Sequence, residues 1–139
     1  MLAEYLNSFL SNMNAIARRV ASNNNLSLSQ YYTLRNIASD GISMGSLSSL
    51  VGVDNSTLTR NINVLISREL VDKRRSEYDR REFHVMLSTS GTEITVQLDE
   101  QMESQLSSFI ADIPVESREA FIEIIEQLNW KMSSYLHGE

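Results

Sequence analysis

Six polar side chains in one short stretch have the chemistry to read base edges: Asn55, Ser56, Thr57, Thr59, Arg60 and Asn63. Asn bonds adenine through two hydrogen bonds, Arg does the same with guanine, and Ser or Thr serves bases and phosphates alike. All six fall opposite an apolar stripe of Leu58, Ile62, Leu65 and Ile66, so they share the outer face of one helix. Any surface helix has a polar outer face, and the set gains meaning only from the basic residues that adjoin it. Seven of the twelve Lys and Arg residues (Arg60, Arg68, Lys73, Arg74, Arg75, Arg80 and Arg81) fall between positions 60 and 81. Five of them flank the polar tip Ser76–Asp79, where their natural targets are phosphates or the narrow minor groove, whose negative potential attracts arginine.

These side chains need a scaffold, and the flanking sequence describes one. Leu47, Leu50 and Val51 make the apolar stripe of a short helix capped by Ser43, and Gly52 supplies a residue that tolerates positive φ. Asp54 or Asn55 caps the next helix by accepting from the free N–H groups of its first turn. Helix, turn, helix is the expectation for 43–66. After Leu70 the period becomes extended: Val71–Arg75 and Arg80–Leu87 read as a hairpin around Ser76–Asp79, with Phe83, Val85 and Leu87 inward and Glu82, His84 and Met86 on the other face.

Around this centre the chain is helical. Leu2, Leu6, Phe9, Met13, Ile16 and Val20 recur at steps of four and three, a narrow heptad seam suited to packing on another helix, including one from a second copy. Asn23–Asn25 end that helix. A second is expected from Ser29 as N-cap through Tyr32, Leu34 and Ile37 to Asp40-Gly41. A long helix beginning after Gly91 carries Ile94, Leu98, Met102, Leu106, Phe109 and Ile113. A last one, with Pro114 in its first turn, carries Phe121, Ile124, Ile125, Leu128, Met132 and Tyr135.

Composition narrows the function classes. Net charge is −6, but it is unevenly spread: positions 55–87 hold five acids and seven bases, whereas 88–139 hold ten acids and two bases. The last two helices would therefore repel a polyanion that the hairpin attracts. Cysteine is absent, which excludes disulfides, thiolate metal sites and thiol redox switching. His84 and His137 have no second ligand at helical spacing, and Asp99, Glu100 and Glu103 read as solvated charge on an acidic helix, so no metal is expected. No nucleophile motif or phosphate-binding glycine loop is present, so neither an enzyme nor a cofactor is expected. No leader and no apolar run of membrane length is visible, which points to a cytoplasmic protein without membrane association.

The chain resembles the MarR family of winged helix-turn-helix transcriptional regulators. The resemblance is carried by Ser56-Thr-Leu-Thr-Arg60, by Asp79-Arg-Arg81 at the wing tip, and by Met86-Leu-Ser-Thr-Ser-Gly91 leading into the next helix. It implies a mainly α (α+β) fold, one domain over 1–139, with a winged helix-turn-helix at about 28–90 and a two-stranded β-wing. Long dimerisation helices at 1–24 and 114–139 and a connecting helix at 91–113 complete it. It further implies double-stranded DNA as partner, a homodimer on a pseudo-palindromic operator, repression, and release by a small-molecule effector. Arg18, Tyr31, Tyr32 and Trp130 are candidates for the effector pocket, although helical aromatics more often belong to the core. Within the wing, the resemblance implies that Asp79 holds Arg81 in place for the minor groove. Two positions depart from the family pattern: Glu69 stands where relatives have glycine, and the usual wing-tip prolines are missing. The competing class is a winged-helix protein-interaction module without DNA binding, consistent with the net acidity.

Overall fold

A computed structural model describes residues 1–138; Glu139, the end of the expected last helix, lies outside the described residues. Among the described residues, six helices and three short strands come in the order α1 (Leu2–Asn23), α2 (Leu28–Arg35), β1 (Ile42–Ser43), α3 (Met44–Val51), α4 (Asn55–Ser67), β2 (Val71–Arg75), β3 (Phe83–Leu87), α5 (Thr89–Ile110) and α6 (Val115–His137). The chain divides into two compact units, Met1–Glu103 and the remainder from Ser104.

The core of the first unit is apolar and continuous. Leu34 from α2, Leu47 from α3, Ile62 and Leu65 from α4, Val85 from β3 and Leu98 from α5 are all fully buried. Burying a Leu or Ile side chain contributes about 1.5–3 kcal/mol, so these residues fix the orientation of the short helices, which would be marginal alone. Caps set the helix ends. Ser43 accepts from the Ser46 N–H at 3.1 Å, and Gly52 closes α3 in the left-handed region at φ 70°.

The sheet holds one strand more than the hairpin expected from the sequence. Its order is β1-β3-β2, antiparallel, with Ile42 opposite Val85, Lys73 opposite Val85 on the other side, and Arg75 opposite Phe83. β1 is two residues long, too short to show any period. β3 begins at Phe83 instead of Arg80, because the Ser76 N–H donates to the Glu82 carbonyl at 2.9 Å and folds 76–82 into the tip.

Several helix ends and exposed positions differ from those expected from the sequence. Ser27, and not Ser29, caps α2: its hydroxyl accepts from the Gln30 N–H while the Gln30 side chain accepts from the Ser27 N–H, a reciprocal capping box. α2 ends at Arg35, well before Asp40-Gly41, because Asn36 turns its amide back onto the Tyr32 carbonyl at 2.8 Å. Leu50 and Ile66, assigned to inward stripes, are exposed. α5 starts at Thr89, ahead of Gly91. The Ser88 hydroxyl accepts from the Gly91 N–H at 2.9 Å and donates to the Glu69 carbonyl at 2.6 Å, tying this helix start to the end of α4. Pro114 sits just outside α6 as its N-cap residue.

The second unit comprises the end of α5 and α6. The Arg118 guanidinium donates to the carbonyls of Ile113 and Ala111 at 2.7 and 3.0 Å, closing the turn between them.

Candidate nucleic-acid interface

The interface is built on α4. Asp54 caps it: one carboxylate oxygen accepts from the Thr57 N–H at 2.7 Å and the other from the Thr57 hydroxyl at 3.1 Å. The Thr57 N–H bond is the main reason the Asp54 carboxyl is held below the ordinary carboxylate range, with the Thr57 hydroxyl adding to it. The cap points the first turn of α4 outward, where Asn55, Ser56, Thr59 and Arg60 line one shallow groove. Thr57 is half-buried and its hydroxyl is occupied by Asp54 and by Arg60, whose Nη2 donates to it at 3.4 Å. The Thr59 hydroxyl donates back to the Asn55 carbonyl at 2.8 Å. Asn63 is exposed one turn further along and does not line the groove. Four of the six expected reading residues therefore converge, one braces the cap, and one stands apart.

In the wing, Lys73 and Arg75 share a face with Phe83, their charges 4.6 and 5.2 Å from its ring centroid. This cation–π arrangement stiffens two long side chains that would otherwise range freely. Arg74 lies on the opposite face, paired across the ladder with His84. At the tip, the Ser76 hydroxyl accepts from the Tyr78 and Asp79 N–H groups, and Arg75 Nη1 donates to the Arg80 carbonyl at 3.2 Å. The Asp79 carboxylate accepts from the backbone N–H of Arg81 at 2.9 Å. Asp79 and Arg81 thus meet, but through the main chain; the Arg81 guanidinium, like that of Arg80, is left exposed. Hydrogen bonds to the Ser76 and Asp79 side chains shape the turn at the tip, where the prolines are missing. Glu69, at the glycine departure, adopts φ 58°, a left-handed conformation that an L-residue takes at some cost.

A second feature of the same unit is a cleft of about 340 Å³ lined by Met13, Ala17, Tyr31, Tyr32, Arg35, Asn36 and Met102. Tyr31 and Tyr32 pack edge to face at 5.3 Å, and the Tyr32 hydroxyl donates to Asn14 Oδ1 at 2.7 Å. Burial raises the pKa of both phenols. Arg35 pairs with Asp99 of α5. Of the four pocket candidates from the sequence, Tyr31 and Tyr32 line this cleft; Arg18 and Trp130 are exposed side chains outside its lining. Arg35, Asn36 and the two methionines carried no periodic signal that distinguishes a cleft from a core. Among the described residues no group of three or more His, Asp or Glu side chains is placed to hold a metal, and no helix is long and apolar enough to cross a membrane.

Two helices joined by a glycine turn, followed by a basic two-stranded finger, define a winged helix-turn-helix protein. Residues 24–82 match the MarR family model. An uncharacterised helix-turn-helix-type transcriptional regulator of Bacillus subtilis, YdgJ, is 27% identical over 89 residues, 64% of this chain. The matched part spans 54% of that relative's length. Among solved structures, a MarR family protein from Bacillus stearothermophilus superposes with a TM-score of 0.84 at 20% identity, over 95% of this chain and 93% of that one. Apo MarR from Escherichia coli gives 0.81 at 18% identity, over 92% and 96%. Over residues 24–82 the chain is thus similar to the MarR family, and it shares the winged helix-turn-helix fold of these solved structures.

Proposed function

We propose that this protein is a sequence-specific, double-stranded-DNA-binding transcriptional regulator that works as a homodimeric repressor. The observation that carries this is the adjacency of two exposed features in one compact unit. The groove of Asn55, Ser56, Thr59 and Arg60 offers base-edge chemistry, and the wing beside it in sequence presents the free guanidinium groups of Arg80 and Arg81 within a chain of net charge −6. In this reading α4 occupies the major groove, with Asn63 and the braced Thr57 at its margin. Lys73, Arg74, Arg75, Arg80 and Arg81 engage phosphates and the minor groove, and Asp79 shapes the tip.

Dimerisation is supported by apolar surface that a monomer would not keep in water. In α1, Leu2, Tyr5, Leu6, Phe9 and Leu10 are about half or more exposed; in α6, Phe121, Ile122, Ile124, Trp130 and Leu136 are likewise. A second copy covering these residues places two recognition helices about 34 Å apart, facing successive major grooves of a pseudo-palindrome. The cleft between α1, α2 and α5 is the effector site in this reading. Its tyrosines and Arg35 suit a small aromatic or anionic compound, which by linkage loses affinity on DNA by the same factor as DNA loses affinity for the protein, about 1–3 kcal/mol.

Fluorescence anisotropy with a duplex recovered by selection, titrated against salt, tests the DNA-binding reading. Affinity is expected to fall linearly on a log–log plot, as release of counterions from several neutralised phosphates requires. Salt-independent binding, or no binding to any duplex, would instead support a winged-helix module that docks proteins.

A further inference from the structure

One polar residue of the recognition helix faces the wrong way for reading. Asn61 is 7% exposed, set among Leu58, Ile62 and Leu65, each essentially inaccessible. Its amide donates to the Ser29 hydroxyl at 2.7 Å and to the Thr33 hydroxyl at 3.4 Å, both on α2. Thr33 is itself fully buried, and its hydroxyl donates to the Ser29 carbonyl at 2.8 Å, leaving its lone pairs to accept from Asn61. Ser29, Thr33 and Asn61 thus form a closed polar cluster across the contact between α2 and α4, and no buried side-chain polar atom among the described residues is left without a partner.

A leucine would bury more apolar surface at position 61 without the cost of stripping water from an amide, so stability alone does not favour asparagine there. What the amide adds is direction. Apolar contacts between helices tolerate rotation and sliding, whereas hydrogen bonds lose strength steeply as their angle closes. The helix surface lies roughly 5–6 Å from the helix axis, so turning α4 by about 20° would sweep its outer side chains through about 2 Å. That shift is as large as the difference between a made and a broken hydrogen bond to a base edge.

We infer that Asn61 is a positioning residue for sequence recognition: it fixes the rotation of α4 on α2 and thereby aims Arg60 and the residues of the first turn, without touching DNA. The inference rests on the DNA-binding reading and adds to it a determinant of specificity on the buried face of α4.

The test uses the full chain and two duplexes, one selected by the wild type from a random pool and one scrambled. Asn61→Leu and Thr33→Val each remove part of the cluster with little change in volume. Both variants are expected to keep wild-type helicity by circular dichroism, wild-type affinity for the scrambled duplex and the wild-type salt slope. Asn61→Leu is expected to lose about ten-fold or more in affinity for the selected duplex, and Thr33→Val about three-fold. Asn61→Gln, which keeps the amide but displaces it by one methylene, is expected to fall between wild type and Asn61→Leu. A folded Asn61→Leu with an unchanged ratio of specific to non-specific affinity overturns the inference. If Asn61→Leu does not fold, Thr33→Val decides by the same ratio. Failure of the wild type to bind any duplex would remove the DNA-binding reading and this inference with it, an outcome readily told apart from an unchanged ratio.

Discussion

Arg60 and Arg81 are both exposed guanidinium groups, but their supports differ and so do their expected roles. Arg60 rises from a capped helix turn and lines the groove with Asn55, Ser56 and Thr59. Arg81 hangs from a wing tip whose backbone is held by Asp79. Arg60→Ala should therefore relax discrimination at one base pair by about 1–3 kcal/mol, read as loss of preference in a panel of single-base operator variants. Arg81→Ala should weaken all duplexes to a similar degree and reduce the magnitude of the salt slope by about one. Asp54 makes a separate claim about pH. Its folded-state carboxyl is held below the ordinary range by its bonds to Thr57, so its contribution is complete above the unfolded value near pH 4. That contribution disappears as pH falls through the folded value. Thermal melts from pH 7 down to pH 3 should show Asp54→Ala destabilised at neutral pH and converging on wild type in acid, while Asp54→Asn, also a good cap, stays close to wild type at pH 7.

Among the elements, the start of α5 lies close against Leu70, the residue that leads into β2. An added Cβ at Gly91 would lie 1.9 Å from the Leu70 carbonyl oxygen, so α5 can begin against β2 only with glycine there. Gly91→Ala should cost about 3 kcal/mol, seen as a fall in Tm of about 10 °C; an unchanged Tm would show that this junction is not the constraint. Elements were legible in the sequence wherever a period or a cap was long enough to register. α3 and α4, the glycine turn between them and the two wing strands could be read for that reason. β1 could not, since two residues have no periodicity, and its pairing with β3 is a tertiary event. Ser27 and Ser29 are equally good caps by type, but Gln30, three residues after Ser27, completes a capping box that Ser29 lacks, and the Ser29 hydroxyl instead accepts from Asn61. For the candidate site, residue types located the groove and the wing. The cleft was legible only in part, because Tyr31 and Tyr32 look like any buried aromatics until Arg35 and Asn36 are seen beside them.

For the whole molecule, charge and apolar surface are sorted along the chain. Bases gather between positions 60 and 81, acids gather after position 88, and large exposed apolar residues gather at the two ends of the chain in α1 and α6. In the proposed reading the basic stretch serves the duplex, the apolar residues of α1 and α6 serve a second copy, and the acidic helices stay off the polyanion. Ile124→Glu places a charge on the α6 face and should shift sedimentation velocity from dimer to monomer at micromolar concentration, with loss of operator binding but little loss of helicity. A wild-type chain that sediments as a monomer would contradict the dimer directly. The most direct test of sequence-specific binding by a two-fold dimer is selection of bound duplexes from a random pool by the purified protein, followed by sequencing. The expected product is an inverted repeat with half-sites centred about 10 base pairs apart, one for each recognition helix. Recovery of no enriched sequence, or of one without two-fold symmetry, would contradict it.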